Sequence, residues 1–282
     1  MSLKSALKFR ARRFVTYLLE PSVLRAQRKL DRLTAYQADD HPLRRCGCRY
    51  FSQNDEDGIL LEILRRLEIE DPQTFLELGV GDGTENNTII LLAKRWRGAW
   101  LGGEDLAFEL PTKGSRLAFT KCWITRDNVV QLANQTLASF GQTLRDASVI
   151  SVDLDGNDAS IVKALLGAGA APVLFLVEYN AKFAPGVEFE MPYEATHVWQ
   201  LDGDYFGVSL LRWTKIFDAA GYSLVACNGT GANAFFVRIE MIGKFADVPK
   251  KIEEQYRPGY YVEIPQSGHR TEPRTIAYLA SS

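Results

Sequence analysis

The sequence contains few of the residues that define several classes of protein. Its 282 residues include only four cysteines and three histidines, too few for a disulfide framework or for repeated Cys and His zinc ligands. No apolar run approaches the roughly 18 residues of a membrane-spanning helix, and no secretory signal pattern is present. A net charge of −2 provides no overall field that would attract nucleic acid. These absences predict a cytoplasmic protein with no nucleic-acid partner.

Residues 1–31 differ from the rest of the chain because most of their charged side chains are basic. Their larger apolar side chains recur at multiples of a helical turn: Leu3, Leu7, Phe14 and Leu18. A basic amphipathic helix can lie on the inner face of a membrane, or pack on its own domain or on a second copy of the chain. We therefore predict a basic helical extension over residues 1–49, followed by the main domain over residues 50–282.

Within the main domain, apolar strand segments alternate with helical segments. Residues 74–79 and 98–103 predict strands, and residues 85–96 predict a helix between them. This alternation predicts a mostly parallel sheet with helices on both faces, and the last two adjacent strands predict an antiparallel hairpin at one edge. Residues 180–204 have weak periodicity, which predicts a long insertion, and long loops of this kind are often functional.

The turn after the first predicted strand is rich in glycine and acids: it reads "ELGVGDG" over residues 77–83. It is not a phosphate-binding loop, because no Lys-Ser or Lys-Thr pair follows. It is not a dinucleotide fingerprint either, because its third glycine comes too early. Glycines allow a backbone to turn tightly and to approach a ligand closely. A turn that needs glycines for packing alone is the alternative.

This pattern of Glu and three glycines resembles motif I of the class I S-adenosylmethionine-dependent methyltransferases. Further segments resemble the FkbM-like members of that class: "SQNDEDGIL", "VISVDLDGNDASIVKAL", "LFLVEYN" and "GVSLLRWTKIFDAAGYSLVACNGTGANAFFVR". Together they extend over about residues 50 to 240. The resemblance implies an α/β, Rossmann-like sheet of seven strands in the order 3-2-1-4-5-7-6. It also implies S-adenosylmethionine as cofactor and, as methyl acceptor, a sugar hydroxyl of a glycan, a glycolipid or a glycosylated metabolite.

The same resemblance implies which residues contact the cofactor: Glu77, Gly79, Gly81, Asp82, Gly83, Glu85, Glu104 and Asp153. One departure from the family lies at the end of the second strand, where the acid that binds the ribose is replaced by Gly102. Glu104 or Asp105 could take over this role, and we favour Glu104. Without such an acid, the chain would be an inactive Rossmann-like binding or scaffold protein, or an enzyme of nucleotide-sugar chemistry.

Acids also follow the fourth and fifth predicted strands. Asp153 and Asp155 follow one of them, and Glu178 and Asn180 follow the other. Ligands of open parallel sheets bind outside the carboxyl ends of the strands, so we expect these side chains near the glycine turn. Oxygen donors suit Mg²⁺, for which we predict Asp155, Glu178 and Asn180 as ligands. The alternatives are that the aspartates only accept hydrogen bonds from backbone amides, or that a carboxylate itself removes the acceptor proton.

His197 lies within the predicted insertion, which we expect to cover the methyl-acceptor site. It is a second candidate for the base that removes the acceptor proton, because histidine titrates near neutral pH. Together with Asp155 and Glu178 it makes up our set of candidate catalytic residues. A structural or surface role is the alternative for this histidine.

Overall fold

The computed structural model describes residues 39–111, 114–199 and 203–259. The basic helix predicted for residues 1–31 lies outside these ranges, so its contact with a membrane or with a second copy stays a prediction. Within the ranges, the structure contains no helix that combines the length and the apolar character needed to cross a bilayer.

A single seven-stranded sheet runs through the centre of the molecule, in the order β3-β2-β1-β4-β5-β7-β6. Its strands are β1 Thr74–Leu78, β2 Arg97–Gly102, β3 Leu117–Lys121, β4 Ala147–Val152, β5 Leu174–Glu178, β6 Tyr222–Cys227 and β7 Asn233–Arg238. Strand β7 is antiparallel to β5 and β6, whereas the pairs among β1 to β5 are parallel. The predicted Rossmann-like sheet, its strand order and its edge hairpin are therefore confirmed.

Helices cover both faces of the sheet. They are α1 Glu56–Arg66, α2 Ile89–Ala93, α3 Val129–Leu137, α4 Asp158–Gly167, α5 Leu210–Ala219 and α6 Ile252–Gln255, with 3-10 turns at Arg44–Cys46, Ala138–Phe140, Leu144–Asp146 and Ile239–Phe245. One apolar layer contains buried side chains of α3, α4 and α5, and the other contains those of α1 and α2. Because β1, β4 and β5 run parallel, their carboxyl ends lie at one shared edge of the sheet.

The second helix is shorter than the sequence predicts. A helix was expected over residues 85–96, but α2 spans only Ile89–Ala93. The buried carboxylate of Glu77 accepts hydrogen bonds from the backbone amides of Asn87 and Thr88, at 2.9 and 3.1 Å. These bonds hold the chain in a loop where the polar residues had indicated the first helical turn.

The described part of the predicted 1–49 extension, residues 39–49, packs on the main domain. Its only regular element is the turn Arg44–Cys46. The Arg44 guanidinium binds the Asp39 carboxylate at 2.7 Å and donates to the backbone oxygen of Gln255 at 3.0 Å. This segment is therefore attached to the end of α6.

The predicted insertion follows β5, and its described residues form neither a helix nor a strand. The rings of Phe183 and Phe189 stack with centroids 4.2 Å apart and give the loop a small apolar centre. An isolated antiparallel bridge joins Glu190 to Val208. Ser209 then caps α5 by accepting a hydrogen bond from the Arg212 amide. The insertion is thus a packed loop with its own internal contacts.

Candidate active site at the carboxyl edge of the sheet

The first and third glycines of the turn after β1 are required by packing. Gly79 has a φ of +86°, and a Cβ there would lie 1.6 Å from the carbonyl oxygen of Asp153. Gly83 has a φ of +82°, and its Cβ would lie 2.8 Å from a methyl carbon of Leu106. Glycine avoids both the steric conflict and the strain of a left-handed backbone.

Gly81 differs from both neighbours. Its φ is +51°, and a Cβ built on it would meet no atom within 4 Å. No packing contact in the described structure therefore requires this glycine. The backbone at Gly81 borders open space at the carboxyl end of β1, where ligands of such sheets bind.

Glu77, which we predicted as a cofactor contact, lies buried in β1. Its two carboxylate oxygens accept hydrogen bonds from the amides of Asn87 and Thr88. Burial raises its pKa, and the hydrogen bonds from Thr88 and Asn87 partly offset that increase. Glu77 thus holds the segment that follows the glycine turn.

Two more predicted cofactor contacts, Asp82 and Glu85, already have partners on the surface of this turn. Asp82 accepts a hydrogen bond from the Thr84 amide at 3.0 Å. Glu85 forms an ion pair with Arg49 at 2.6 Å. Both side chains shape the turn, and their contact with a cofactor stays a prediction.

The end of β2 explains the departure at the predicted ribose position. A Cβ on Gly102 would lie 2.8 Å from a methyl carbon of Val80, so the glycine turn packs directly on it. Asp105 points elsewhere, because its carboxylate pairs with Lys121 at 2.6 Å. Glu104 forms no hydrogen bond or ion pair with any described residue, and its charge contributes to a raised pKa of Asp155. Of the two acids, Glu104 is the one whose charge acts on Asp155, and its contact with the ribose stays a prediction.

Three carboxylates meet where β4 and β5 end. Asp153, Asp155 and Glu178 each have an oxygen within 4.8 Å of the others. Burial, followed by the charges of the neighbouring acids, raises the pKa of Glu178 and of Asp153 well above the ordinary values. Asp155 is the most exposed of the three, and partial desolvation together with the charge of Asp158 raises its pKa to about 6.

The turn that carries Asp155 is held by Asp158. The two carboxylate oxygens of Asp158 accept hydrogen bonds from the amides of Leu154 and Gly156, at 2.8 and 2.9 Å. Asp155 adopts a positive φ of +54°, which is uncommon for a residue with a side chain. The first turn of α4 therefore fixes the backbone that presents the Asp155 carboxylate.

Asn180, the third predicted metal ligand, makes different contacts. Its side-chain NH₂ donates to the backbone oxygens of Asp204 and Phe206, at 2.8 and 3.0 Å. Its side-chain oxygen accepts from the Lys182 amide at 3.0 Å. These contacts do not support the prediction that Asn180 is a ligand. Among the described His, Cys, Asp and Glu side chains, Asp153 is the one with an oxygen close to those of both Asp155 and Glu178.

His197 lies beside this group of acids, as the prediction of a base in the insertion requires. Its Nε2 is 3.2 Å from the backbone oxygen of Asp155. If Nε2–H donates to that oxygen, Nδ1 is the nitrogen left to accept a proton. A Cβ on Gly156 would lie 2.4 Å from the His197 ring, so only glycine permits this approach.

Asn157 and Trp123 hold the part of the insertion that carries His197. The Asn157 amide group donates to the backbone oxygen of Glu194 at 2.8 Å and accepts from the Glu194 amide at 3.1 Å. The indole N–H of Trp123 donates to the backbone oxygen of Ala195 at 2.7 Å. The loop is thus attached to the start of α4 and to the segment after β3, over the carboxyl edge.

Sequence reasoning missed two polar residues of this edge. Asn233 begins β7 and pairs directly with Glu178, and its side-chain NH₂ donates to Glu56 at 3.0 Å. Glu56 is fully buried, and its charge contributes to the raised pKa of Asp153. The predicted edge hairpin was the available signal, because it already placed the start of β7 next to the end of β5.

A cavity of about 580 Å³ lies on the α2 side of the sheet. Its lining includes Gly83 of the glycine turn, and Trp100 and Phe108. None of the clustered acids lines it, so the cavity and the acidic group are separate features.

No protein-family profile matches the chain, and no curated protein matches it by sequence. Solved structures do match. The MycE methyltransferase of the mycinamycin biosynthetic pathway, in complex with Mg and SAH, is 13% identical, with 80% of this chain and 54% of that chain covered and a TM-score of 0.41.

The Burkholderia thailandensis 1,6-didemethyltoxoflavin-N1-methyltransferase is 14% identical, with 77% and 88% of the two chains covered and a TM-score of 0.40. An O-methyltransferase family protein from Burkholderia thailandensis is 12% identical, with 65% and 57% covered and a TM-score of 0.35. The chain therefore spans about half the length of the first of these proteins. Similarities this distant carry no argument about what the chain binds.

Proposed function

We propose that the protein is an S-adenosylmethionine-dependent methyltransferase that methylates a hydroxyl group of a sugar-containing acceptor. The observation that carries the proposal is the open space beside Gly81, at the carboxyl edge where the acids also meet. The resemblance of the glycine turn to methyltransferase motif I supports the choice of cofactor. The sheet order supports it as well, since it is the order that this resemblance implied.

Methyl transfer requires that the acceptor oxygen is aligned with the methyl carbon and that a base removes the hydroxyl proton. The acceptor oxygen attacks the methyl carbon of the sulfonium, the C–O bond forms as the C–S bond breaks, and the hydroxyl proton passes to a protein group. Holding the two reactants in line lowers the barrier most, and a positioned base typically contributes about 10²- to 10⁴-fold.

Asp155 fits the role of base better than its neighbours. Its pKa of about 6 leaves it ionised at neutral pH, and it is open to solvent. Glu178, also a candidate catalytic residue, is less open to solvent than Asp155, and burial and the nearby charge of Asp153 raise its pKa well above its ordinary value. His197 is the second candidate base, through Nδ1.

A sugar acceptor is the finer part of the proposal and rests mainly on the resemblance of the sequence. One structural feature favours it. Trp123 is 51% exposed, while its indole N–H is bonded to the loop that carries His197. An exposed indole face that is bonded to this loop suits the apolar face of a sugar ring.

Isothermal titration with S-adenosylmethionine tests the cofactor, and the chain offers a matched pair of variants. Gly81→Ala and Gly141→Ala both place a Cβ at positive φ, +51° and +69°, with no atom within 4 Å. Both therefore carry the same type of backbone strain, about 1 to 2 kcal/mol. Only Gly81 faces the proposed cofactor, whereas Gly141 follows the distant 3-10 turn at Ala138–Phe140.

We expect the wild type and Gly141→Ala to bind the cofactor with similar affinity, and Gly81→Ala to bind at least about tenfold more weakly. A wild type that binds no cofactor at millimolar concentration contradicts the proposal, and so does equal binding by both variants.

Gly102 at the position of the ribose-binding acid favours an inactive Rossmann-like binding protein, and nucleotide-sugar chemistry on the same sheet is a further candidate that the fold allows. Titration with uridine diphosphate glucose under the same conditions separates nucleotide-sugar chemistry from methyl transfer. Binding of the nucleotide sugar in the absence of cofactor binding would replace the methyltransferase proposal.

A further inference from the structure

We infer that the carboxyl edge holds a divalent cation whose protein ligands are Asp153, Asp155, Glu178 and the side-chain oxygen of Asn233. This inference rests on the site of the proposed function and adds a metal to it. The set differs from the one predicted from sequence, because Asp153 and Asn233 replace Asn180.

The acidic group of Asp153, Asp155 and Glu178 has an uncompensated negative charge. Oxygens of three carboxylates lie within 4.8 Å of one another, and the charges of Asp158 and Glu56 act on the same group. Among the described residues, no Lys or Arg forms an ion pair with any of the three. Carboxylates that share a poorly solvated site cannot all ionise unless a positive charge neutralises them. A bound cation supplies that charge.

The side-chain oxygen of Asn233 is an observation independent of the carboxylates. This residue is 6% exposed, and its side-chain oxygen is shielded from solvent and accepts no hydrogen bond from the described residues. Leaving such an acceptor buried and unpaired costs about 1 to 3 kcal/mol. A cation beside the oxygen removes this penalty.

The pairing of the strands directs Asn233 toward the acids. It lies directly opposite Glu178 in the antiparallel pair of β5 and β7. Side chains of opposite residues lie on the same face of a sheet, with Cβ atoms about 4.5 to 5.5 Å apart. The NH₂ group of Asn233 donates to Glu56 at 3.0 Å. The side-chain oxygen of Asn233 is therefore the atom available on the side of Glu178. One oxygen of Glu178 is likewise buried without a hydrogen-bond partner among the described residues.

Four oxygen donors from carboxylates and an amide suit a hard cation such as Mg²⁺, Mn²⁺ or Ca²⁺, with water completing the coordination. Because Asp155 is open to solvent, the remaining positions would face the acceptor. A cation there would bind an acceptor hydroxyl and lower its pKa, and His197, not the metal-bound Asp155, would then be the base that takes the proton.

The test is a titration of the EDTA-treated full-length chain with Mn²⁺, followed by electron paramagnetic resonance. Glu178→Gln removes the negative charge of one ligand, and Asn233→Ala removes one oxygen ligand. Glu188→Gln is the matched control for the carboxylate, since Glu188 pairs with Arg212 at 3.1 Å in the insertion. Asn134→Ala is the control for the amide, since the Asn134 side chain accepts from the Leu144 amide at 2.8 Å.

We expect the wild type and both controls to bind one Mn²⁺ per chain. Changes around metal sites typically weaken binding by about 10- to 100-fold, and we expect at least tenfold for Glu178→Gln and Asn233→Ala. Asn233→Asp keeps an oxygen ligand and should bind Mn²⁺ at least as tightly as the wild type, so the inference stays testable if Asn233→Ala fails to fold.

A wild type that binds no Mn²⁺ at millimolar concentration overturns the inference, as does wild-type affinity in Glu178→Gln. A parallel titration with S-adenosylhomocysteine in EDTA separates this result from the proposed function. Cofactor binding without Mn²⁺ binding refutes the metal alone, and Mn²⁺ binding without cofactor binding refutes the methyltransferase alone.

Discussion

At the scale of single residues, His41 shows how burial selects one protonation state. Its ring is 2% exposed. Nδ1 accepts from the amides of Leu43 and Arg44 at 3.3 and 3.4 Å, while Nε2 lies 3.4 Å from the side-chain oxygen of Gln255. This pattern fits the neutral ring, with Nδ1 as acceptor and Nε2–H as donor. Burial and the charge of Arg44 lower its pKa from 6.5 to about 4.

We predict that His41 makes the protein less stable in acid. Because the pKa is lower in the folded state than in the unfolded state, its contribution is complete above about pH 6.5. It is lost as the pH falls from there to about 4, by up to about 3 kcal/mol. Urea unfolding at several pH values measures this loss, and His41→Asn should show less of it.

The control for this prediction is His197→Asn, which makes the same substitution at a histidine that is only partly buried. Equal acid sensitivity in the wild type and in His41→Asn would show that other groups cause it.

At the scale of elements, the side chain of Asn157 joins the segment of the insertion that carries His197 to the start of α4. Asn157 both donates to and accepts from the backbone of Glu194. Such a pair can be replaced only by a side chain with a donor and an acceptor in the same geometry. The loop position of His197 relative to Asp155 therefore depends on Asn157.

We predict that Asn157→Ala releases this loop without unfolding the sheet. In hydrogen exchange followed by mass spectrometry, peptides covering residues 191–199 should exchange at least about tenfold faster than in the wild type, since a net hydrogen bond is worth about 1 kcal/mol and two are lost. Peptides of β1 and β4 should keep wild-type rates and serve as the internal control. Unchanged exchange over residues 191–199 would show that other contacts hold the loop.

The sequence predicted the elements better than it predicted their ends. The strands were evident because buried parallel strands are continuous apolar runs. The shortened α2 was not predictable from local pattern, because Glu77 captures the amides of Asn87 and Thr88 across a turn. A bond of this kind overrides helix propensity, which is a weak local preference.

At the scale of the whole molecule, the sheet order decides which distant residues meet. It joins the turn after β1, the acids after β4 and β5, and the start of β7. The acids were predictable because each directly follows an evident strand. Asn233 was missed because its role depends on its register with Glu178, which no local pattern specifies. The contacts of Asn180 were not predictable, because the loop atoms that bind its side chain, at Asp204 and Phe206, lie far along the chain.

The central claim is that a sulfonium cofactor binds at this edge, with its methyl group facing the acids. A crystal structure of the chain with S-adenosylhomocysteine tests it most directly. We predict the homocysteine part against Gly79 and Gly81, the ribose hydroxyls at Glu104, and the sulfur facing Asp155. Cofactor bound instead in the cavity lined by Trp100 and Phe108, or absent from crystals grown at saturating concentration, would contradict the account.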